Sequence, residues 1–165
     1  MNVYRLAAMT AAVVATLTGC DATRDLGAEA TNDASADTAG QAVRVSELPL
    51  RRGFYVASDT PCEQASNATL LLLRGKGING ARDFCDFERI DQTRSNVYRT
   101  IQSCTSVSDD AAVEQSVTYT LQGDSTFALV SDSGWTASFR YCEQAALPEF
   151  WRDIDLSDVL APPDV

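Results

Sequence analysis

A chain of 165 residues with 23 acidic against 13 basic side chains carries a formal charge of −10, which repels phosphate backbones and excludes nucleic-acid binding. It contains no histidine, so the commonest general base and metal ligand is missing. The acidity favours instead a cationic protein partner, whose encounter electrostatic steering would speed.

In chain order, the N-terminus comes first and has the form of an export signal. One basic residue, Arg5, precedes the apolar run Leu6–Leu17, about a dozen residues where a bilayer-spanning helix needs roughly 20. The run closes with Leu17-Thr18-Gly19-Cys20, and the composition then turns polar at once in "DATRDLGAEATNDASADTAGQ". This tetrapeptide resembles the lipobox of bacterial lipoproteins. The resemblance implies removal of residues 1–19 as a signal peptide, a diacylglycerol on the Cys20 thiol and acylation of the new N-terminus. It also implies a chain anchored in the bacterial cell envelope and facing the periplasm. Several acyl chains hold durably where one does not, since each buried methylene adds about 0.8 kcal/mol. Asp21 resembles the inner-membrane retention signal of enteric lipoproteins. Lys76 is the lone lysine among 13 basic residues, however, which suggests a GC-rich, non-enteric genome and leaves inner and outer membrane both open.

Residues 20–47 are read as the lipidated cysteine and a disordered tether, too poor in large apolar groups to offset its ordering entropy. Its flexible reach is roughly 25–30 Å. Residues 48–165 are read as a β-domain with a helical tail. Period-two patterns dominate it. "GFYVA" (53–57) and the apolar "ATLLLL" (68–73) lead to a turn, "RGKG". "RDFCDFERI" (82–90) and "NVYRTIQSC" (96–104) flank the polar break "DQTRS". "SVTYTLQ" (116–122) sets Val117, Tyr119 and Leu121 on one face, and "TFALV" (126–130) follows. "WTASFRYC" (135–142) sets Trp135, Ala137, Phe139 and Tyr141 on one face. About seven strands with tight connections predict an all-β fold, a small antiparallel meander closed as a barrel or sandwich. In the tail, Pro148 suits a first helical turn, and Leu147, Phe150, Trp151 and Ile154 recur at helical spacing. They predict a short helix that covers one end of the barrel, with Trp151 in the core.

Beyond Cys20 the chain has four cysteines, Cys62, Cys85, Cys104 and Cys142, with no CxxC pair. An even number in an exported domain predicts two disulfides. A hairpin turning at Arg94-Ser95 places Cys85 opposite Cys104. Strand parity in a seven-strand meander brings Cys62 and Cys142 to the other end. Both arguments pair Cys85 with Cys104 and Cys62 with Cys142, worth roughly 3 and 4.5 kcal/mol in the chain-entropy model.

Catalytic signals are poor. The serines lack a GxSxG setting and Lys76 falls in the turn. Asp83 and Asp91 alternate away from Asp86 and Glu88 on their strand, which argues for solvated charges. Asp109-Asp110 is read as part of a loop, "SVSDDAAVE", without an EF-hand pattern. No catalytic residue, metal or cofactor is expected. The Asn67-Ala68-Thr69 sequon is accidental in a bacterial chain. The expectation is a non-catalytic binding or accessory module at the envelope. One alternative is an inhibitor or immunity protein against a cationic wall-degrading enzyme. Its motivation is the loop Ser131-Asp132-Ser133-Gly134-Trp135, which resembles the Ser-x-Ser-Gly loop of small disulfide-bonded β-barrel lysozyme inhibitors. In that family the loop enters the lysozyme cleft; Trp135 here stands where the family has a small residue, and the cysteine spacing differs. The other alternative, a carrier of an apolar ligand, requires a hollow interior.

Overall fold

The computed structural model describes residues 41–161, apart from the side chains of Asp109 and Asp110. The lipobox with Cys20 and most of the tether lie outside the described residues. Nine strands follow in order: β1 (Val43–Val45), β2 (Gly53–Ala57), β3 (Leu70–Arg74), β4 (Gly77–Asn79), β5 (Asp83–Arg94), β6 (Val97–Ser106), β7 (Asp109–Leu121), β8 (Thr126–Ser131) and β9 (Thr136–Tyr141). From β2 to β9 each strand pairs antiparallel with the next. β9 returns to β2, with Tyr55 opposite Tyr141, so eight strands close a barrel. β1 lies outside this count, pairing with the far half of β5 on the edge whose near half takes β4.

The all-β meander is therefore a barrel, with two strands beyond the seven expected. The turn read as "RGKG" is only Gly75-Lys76, and β4 starts at Gly77. A Cβ on Gly77 would collide with the Cys85 carbonyl, so close strand approach requires glycine there. β1 falls among residues assigned to the tether. Pairing with Ile90–Gln92 orders it where composition alone gave no signal.

The barrel interior is aromatic. Phe127 is fully buried, and its ring centroid stands 5.2 Å from Tyr55, 5.6 Å from Tyr119 and 5.5 Å from Phe139. Val117, Tyr119 and Leu121 are all buried, as their alternation requires. A second apolar cluster lies on the outward side of β2 and β3, where Phe54, Val56 and Leu70 meet Ala65, Leu147 and Leu156. This explains why "GFYVA" and "ATLLLL" read as unbroken apolar runs rather than alternations. Both faces of these strands are buried, by the barrel core on one side and a covering layer on the other.

That layer is the loop between β2 and β3 together with the C-terminal tail, whose helices are α1 (Glu149–Arg152) and α2 (Ser157–Leu160). The tail thus packs on the barrel wall, with Trp151 against the outer cluster, and does not cover an end as expected. Leu48 and Leu50, from the segment leading into β2, join the barrel's core cluster instead.

Both disulfides join the cysteines as the sequence pairs them, Cys62–Cys142 and Cys85–Cys104. One of the two arguments holds. Cys85 faces Cys104, although the turn sits one residue later, with Arg94 opposite Val97. Two register irregularities, between Phe87 and Arg89 and between Gln92 and Arg94, restore the expected pairing. The parity argument does not hold, because β4 adds a strand and β9 finishes toward the barrel end where β2 begins, not the end where β2 finishes. Cys62 reaches Cys142 because its loop folds down the outer wall. Arg140 pins it there, donating to Thr60 O (2.7 Å) and lying 2.9 Å from Cys62 Sγ.

Candidate functional site

The two ends of the barrel differ. One is closed by the turns β3–β4, β5–β6 and β7–β8 and by residues 48–52. There Arg51 N donates to Asp124 O (2.8 Å), the Tyr55 hydroxyl donates to Arg51 O (2.8 Å), and the Arg51 guanidinium lies 4.0 Å over the Tyr141 ring. Arg51 also pairs with Glu143 (3.1 Å). Burial, followed by the Asp124 charge, pushes the Tyr55 phenol well above its ordinary range, so it stays a neutral hydroxyl.

The opposite end is open. A cavity of about 140 Å³ enters the interior there, walled by Leu71, Ile78, Val117, Leu129 and the Cys85 side of a disulfide. Space of this size holds roughly a benzene-sized group. Polar groups line it too. Gln102 is almost fully buried, and its Oε1 accepts a long hydrogen bond from the Tyr119 hydroxyl (3.4 Å). Burial drives the Tyr119 phenol upward, against the opposing pull of Gln102, so it too remains protonated. Asp83, Gln115, Ser131 and Trp135 complete the lining, and Trp135 is 57 % exposed.

The Ser131–Trp135 loop is the β8–β9 turn, and local bonds fix its shape. Ser131 N donates to Trp135 O (2.9 Å), Gly134 N donates to Ser131 O (2.9 Å), and Trp135 N donates to Ser131 Oγ (3.1 Å). Gly134 has φ +84°, the left-handed region that favours glycine. The Ser131 and Ser133 hydroxyls bond each other at 2.7 Å. Asp132 N donates to Ser116 O (3.0 Å), and the Asp132 carboxylate lies 3.7 Å from Arg99. The loop leans on β7 and brings Ser131 and Trp135, not Asp132, Ser133 or Gly134, to the cavity wall.

The acidic residues of β5 do not converge. Asp83 faces the cavity, Asp86 pairs outside with Arg74 (2.7 Å), and Asp91 lies between Arg44 and Arg89. The irregularity after Phe87 turns Ile90 inward and Asp91 outward, onto the side of Asp86, which corrects the simple alternation. Asp109 and Asp110 open β7 rather than lying in a loop. Among the described residues no three Cys, Asp or Glu gather as a metal-ligand set.

Sequence reasoning missed Gln102, Gln115 and Asp83 as lining residues. The usable signal was polarity at inward positions: Gln102 shares its face with Tyr98, Thr100 and Cys104, and Gln115 with Val117 and Tyr119. No protein-family model matches the chain, and comparison with curated proteins and with solved structures finds no match.

Proposed function

We propose that this chain is a non-catalytic binding module, held at the bacterial envelope through lipid on Cys20 and facing the periplasm. In this reading it takes its partner at the open end of the barrel. The observation that carries the reading is the unequal filling of the interior. Phe127 and its aromatic neighbours pack the closed half, while the open half keeps a cavity of about 140 Å³ with an exposed tryptophan at its mouth. Exposed aromatics beside a partly apolar recess are a common anchor for partners.

The test is a titration of the full chain, in detergent, with p-cresol, a stand-in for a tyrosine side chain. NMR would follow the Val117 and Leu129 methyls and the Trp135 indole N–H. Saturable shifts confined to these groups are expected. Shifts spread over the outer wall near Trp151, or none, would sink the reading.

A second reading is inhibition of a cationic wall-degrading enzyme by the Ser131–Trp135 loop. It is favoured by the 68 % exposure of the Asp132 side chain next to the cavity mouth and by the charge of −10. Against it, the loop stops well short of the neighbouring β6–β7 hairpin and spends its serine hydroxyls on each other. Wall lysis by a cationic lysozyme, titrated with the full chain at low and moderate salt, decides. Inhibition that survives moderate salt and weakens in Asp132→Ala supports this reading, and its absence removes it.

A further inference from the structure

β7 outruns its neighbour. Its pairing with β8 ends at Val117 opposite Ser131, and one more bond, Asp132 N to Ser116 O, closes the ladder. From there back to Asp109, β7 keeps β6 on one side and, among the described residues, no strand on the other. The ladder fixes which groups face that gap. Leu121 N donates to Asn96 O, toward β6, while Gln122 N donates to Thr126 O and Ser116 O accepts from Asp132 N, toward β8. Odd residues therefore bond toward β6 and even ones away from it, so Glu114 directs its N–H and C=O into the gap. Val113 and Gln115 point their side chains to the barrel's inner side, and both are exposed.

The gap and the cavity are one opening. Gln115 and Val117 of β7 form one side of the cavity, with Ser131 and Trp135 across from them. β7 contains neither proline nor lysine, and the irregularity of its pairing with β6 is confined to the stretch before Val113, so the edge at Glu114 is regular. Acids prevail around it, with Asp83, Glu114 and Asp132, and Asp109 and Asp110 in the adjoining sequence, against Arg82 and Arg99. Arg99 is engaged by Asp132 and by Ser116 (2.9 Å).

We propose that this opening is a strand-addition site. An extended segment of a basic protein partner continues the sheet where β8 stops and bonds the free groups of Glu114. Its alternate apolar side chains enter the cavity beside Trp135, and its basic ones lie against the acids. The proposal rests on the open-end reading above and names the partner's chemistry. A second copy of this chain fits worse, because two β7 edges would set acid against acid.

The probe is the peptide acetyl-Lys-Val-Arg-Val-Thr-Val-Lys-amide, with two analogues N-methylated at alternate residues, one in each frame. Methylation keeps side chains and charge but removes the donors of one peptide edge. The full chain in detergent is titrated while amide exchange at Glu114 is followed. Strand addition predicts slowed exchange at Glu114, with one frame binding about tenfold more weakly and the other within about twofold of the parent peptide. Equal binding of both frames, or binding that vanishes at moderate salt without protection of Glu114, overturns the proposal. The open-end reading then still stands if p-cresol shifts Val117 and Trp135, and falls if it does not. Protection of Glu114 without peptide, growing with protein concentration, assigns the edge to a second copy and also overturns it. Glu114→Pro removes the N–H that faces the gap but no bond to β6. It is expected to weaken binding of the parent peptide about fivefold relative to Glu114→Gln, which keeps the N–H and removes the same charge, while p-cresol binding persists; equal peptide binding by the two variants counts against the proposal.

Discussion

The closed and open halves of the barrel are built from the same strands, yet the chain treats them differently. At the closed half, inward positions carry Tyr55, Phe127 and Phe139, and Leu48 and Leu50 come from outside the barrel to complete the core. At the open half, inward positions carry Asp83, Gln102, Gln115 and Ser131, and among the aromatics that line the cavity Trp135 is left exposed. Side chains that fill space strengthen a fold, and side chains that leave it lined and polar do not. The contrast therefore separates the part of this molecule that holds it together from the part free to meet something else.

The largest effect belongs to the closed half. Phe127→Ala removes the ring that touches three other aromatics and is expected to destabilise by about 3–5 kcal/mol in urea denaturation. A loss below about 1 kcal/mol would mean that the closed half is not the stability centre. The disulfides come next. Replacing Cys62 and Cys142 by serine opens a covalent loop with a sequence separation of 80, against 19 for Cys85 and Cys104. The chain-entropy model gives losses of about 4.5 and 3 kcal/mol, as upper values. The reverse order would show that the open-end wall depends on its disulfide more than the β2–β3 wall depends on its covering layer.

A smaller effect is confined to alkaline solution. Tyr55 and Tyr119 both have phenols raised by burial, so folding favours their protonated forms. Their contribution is fully present below the unfolded value near pH 10 and is lost as pH rises above it toward the folded values. Urea midpoints measured from pH 8 to 11 should fall only at the top of that range, and Tyr119→Phe should flatten the fall. A decline beginning near pH 8 would contradict the assignment. The smallest stability effect is expected for Trp135→Ala, within about 0.5 kcal/mol of the parent, although this substitution should remove the p-cresol shifts. A large loss of stability would turn Trp135 into a core residue and erase the contrast between the two ends.

Much of the barrel was legible in the sequence. The alternations of 116–122 and 135–142 place the buried aromatics on the correct faces, and the hairpin argument pairs Cys85 with Cys104. β4 was hidden because three residues, Gly77–Asn79, are too short to show a period. β1 was hidden because what orders it is pairing with β5 and not its own composition. The covering of β2 and β3 by the tail is a long-range contact, and its only local trace is the unbroken apolar run of each strand. At the open end, sequence reasoning picked out Ser131 and Trp135 through their turn but passed over Asp83, Gln102 and Gln115. A polar residue in an alternating strand reads as outward-facing until the register is known, and the bulge in β5 changes that register midway.

The central claim is that the open end is where this protein meets its partner, and crosslinking in the native envelope tests it most directly. A photoreactive amino acid would replace Trp135 at the open end and, in a second strain, Asp124 at the closed end. The account predicts a discrete, saturable adduct from position 135 and none from position 124. Adducts from position 124 alone would contradict it and move the binding surface to the end that the aromatic core and Leu48 seal.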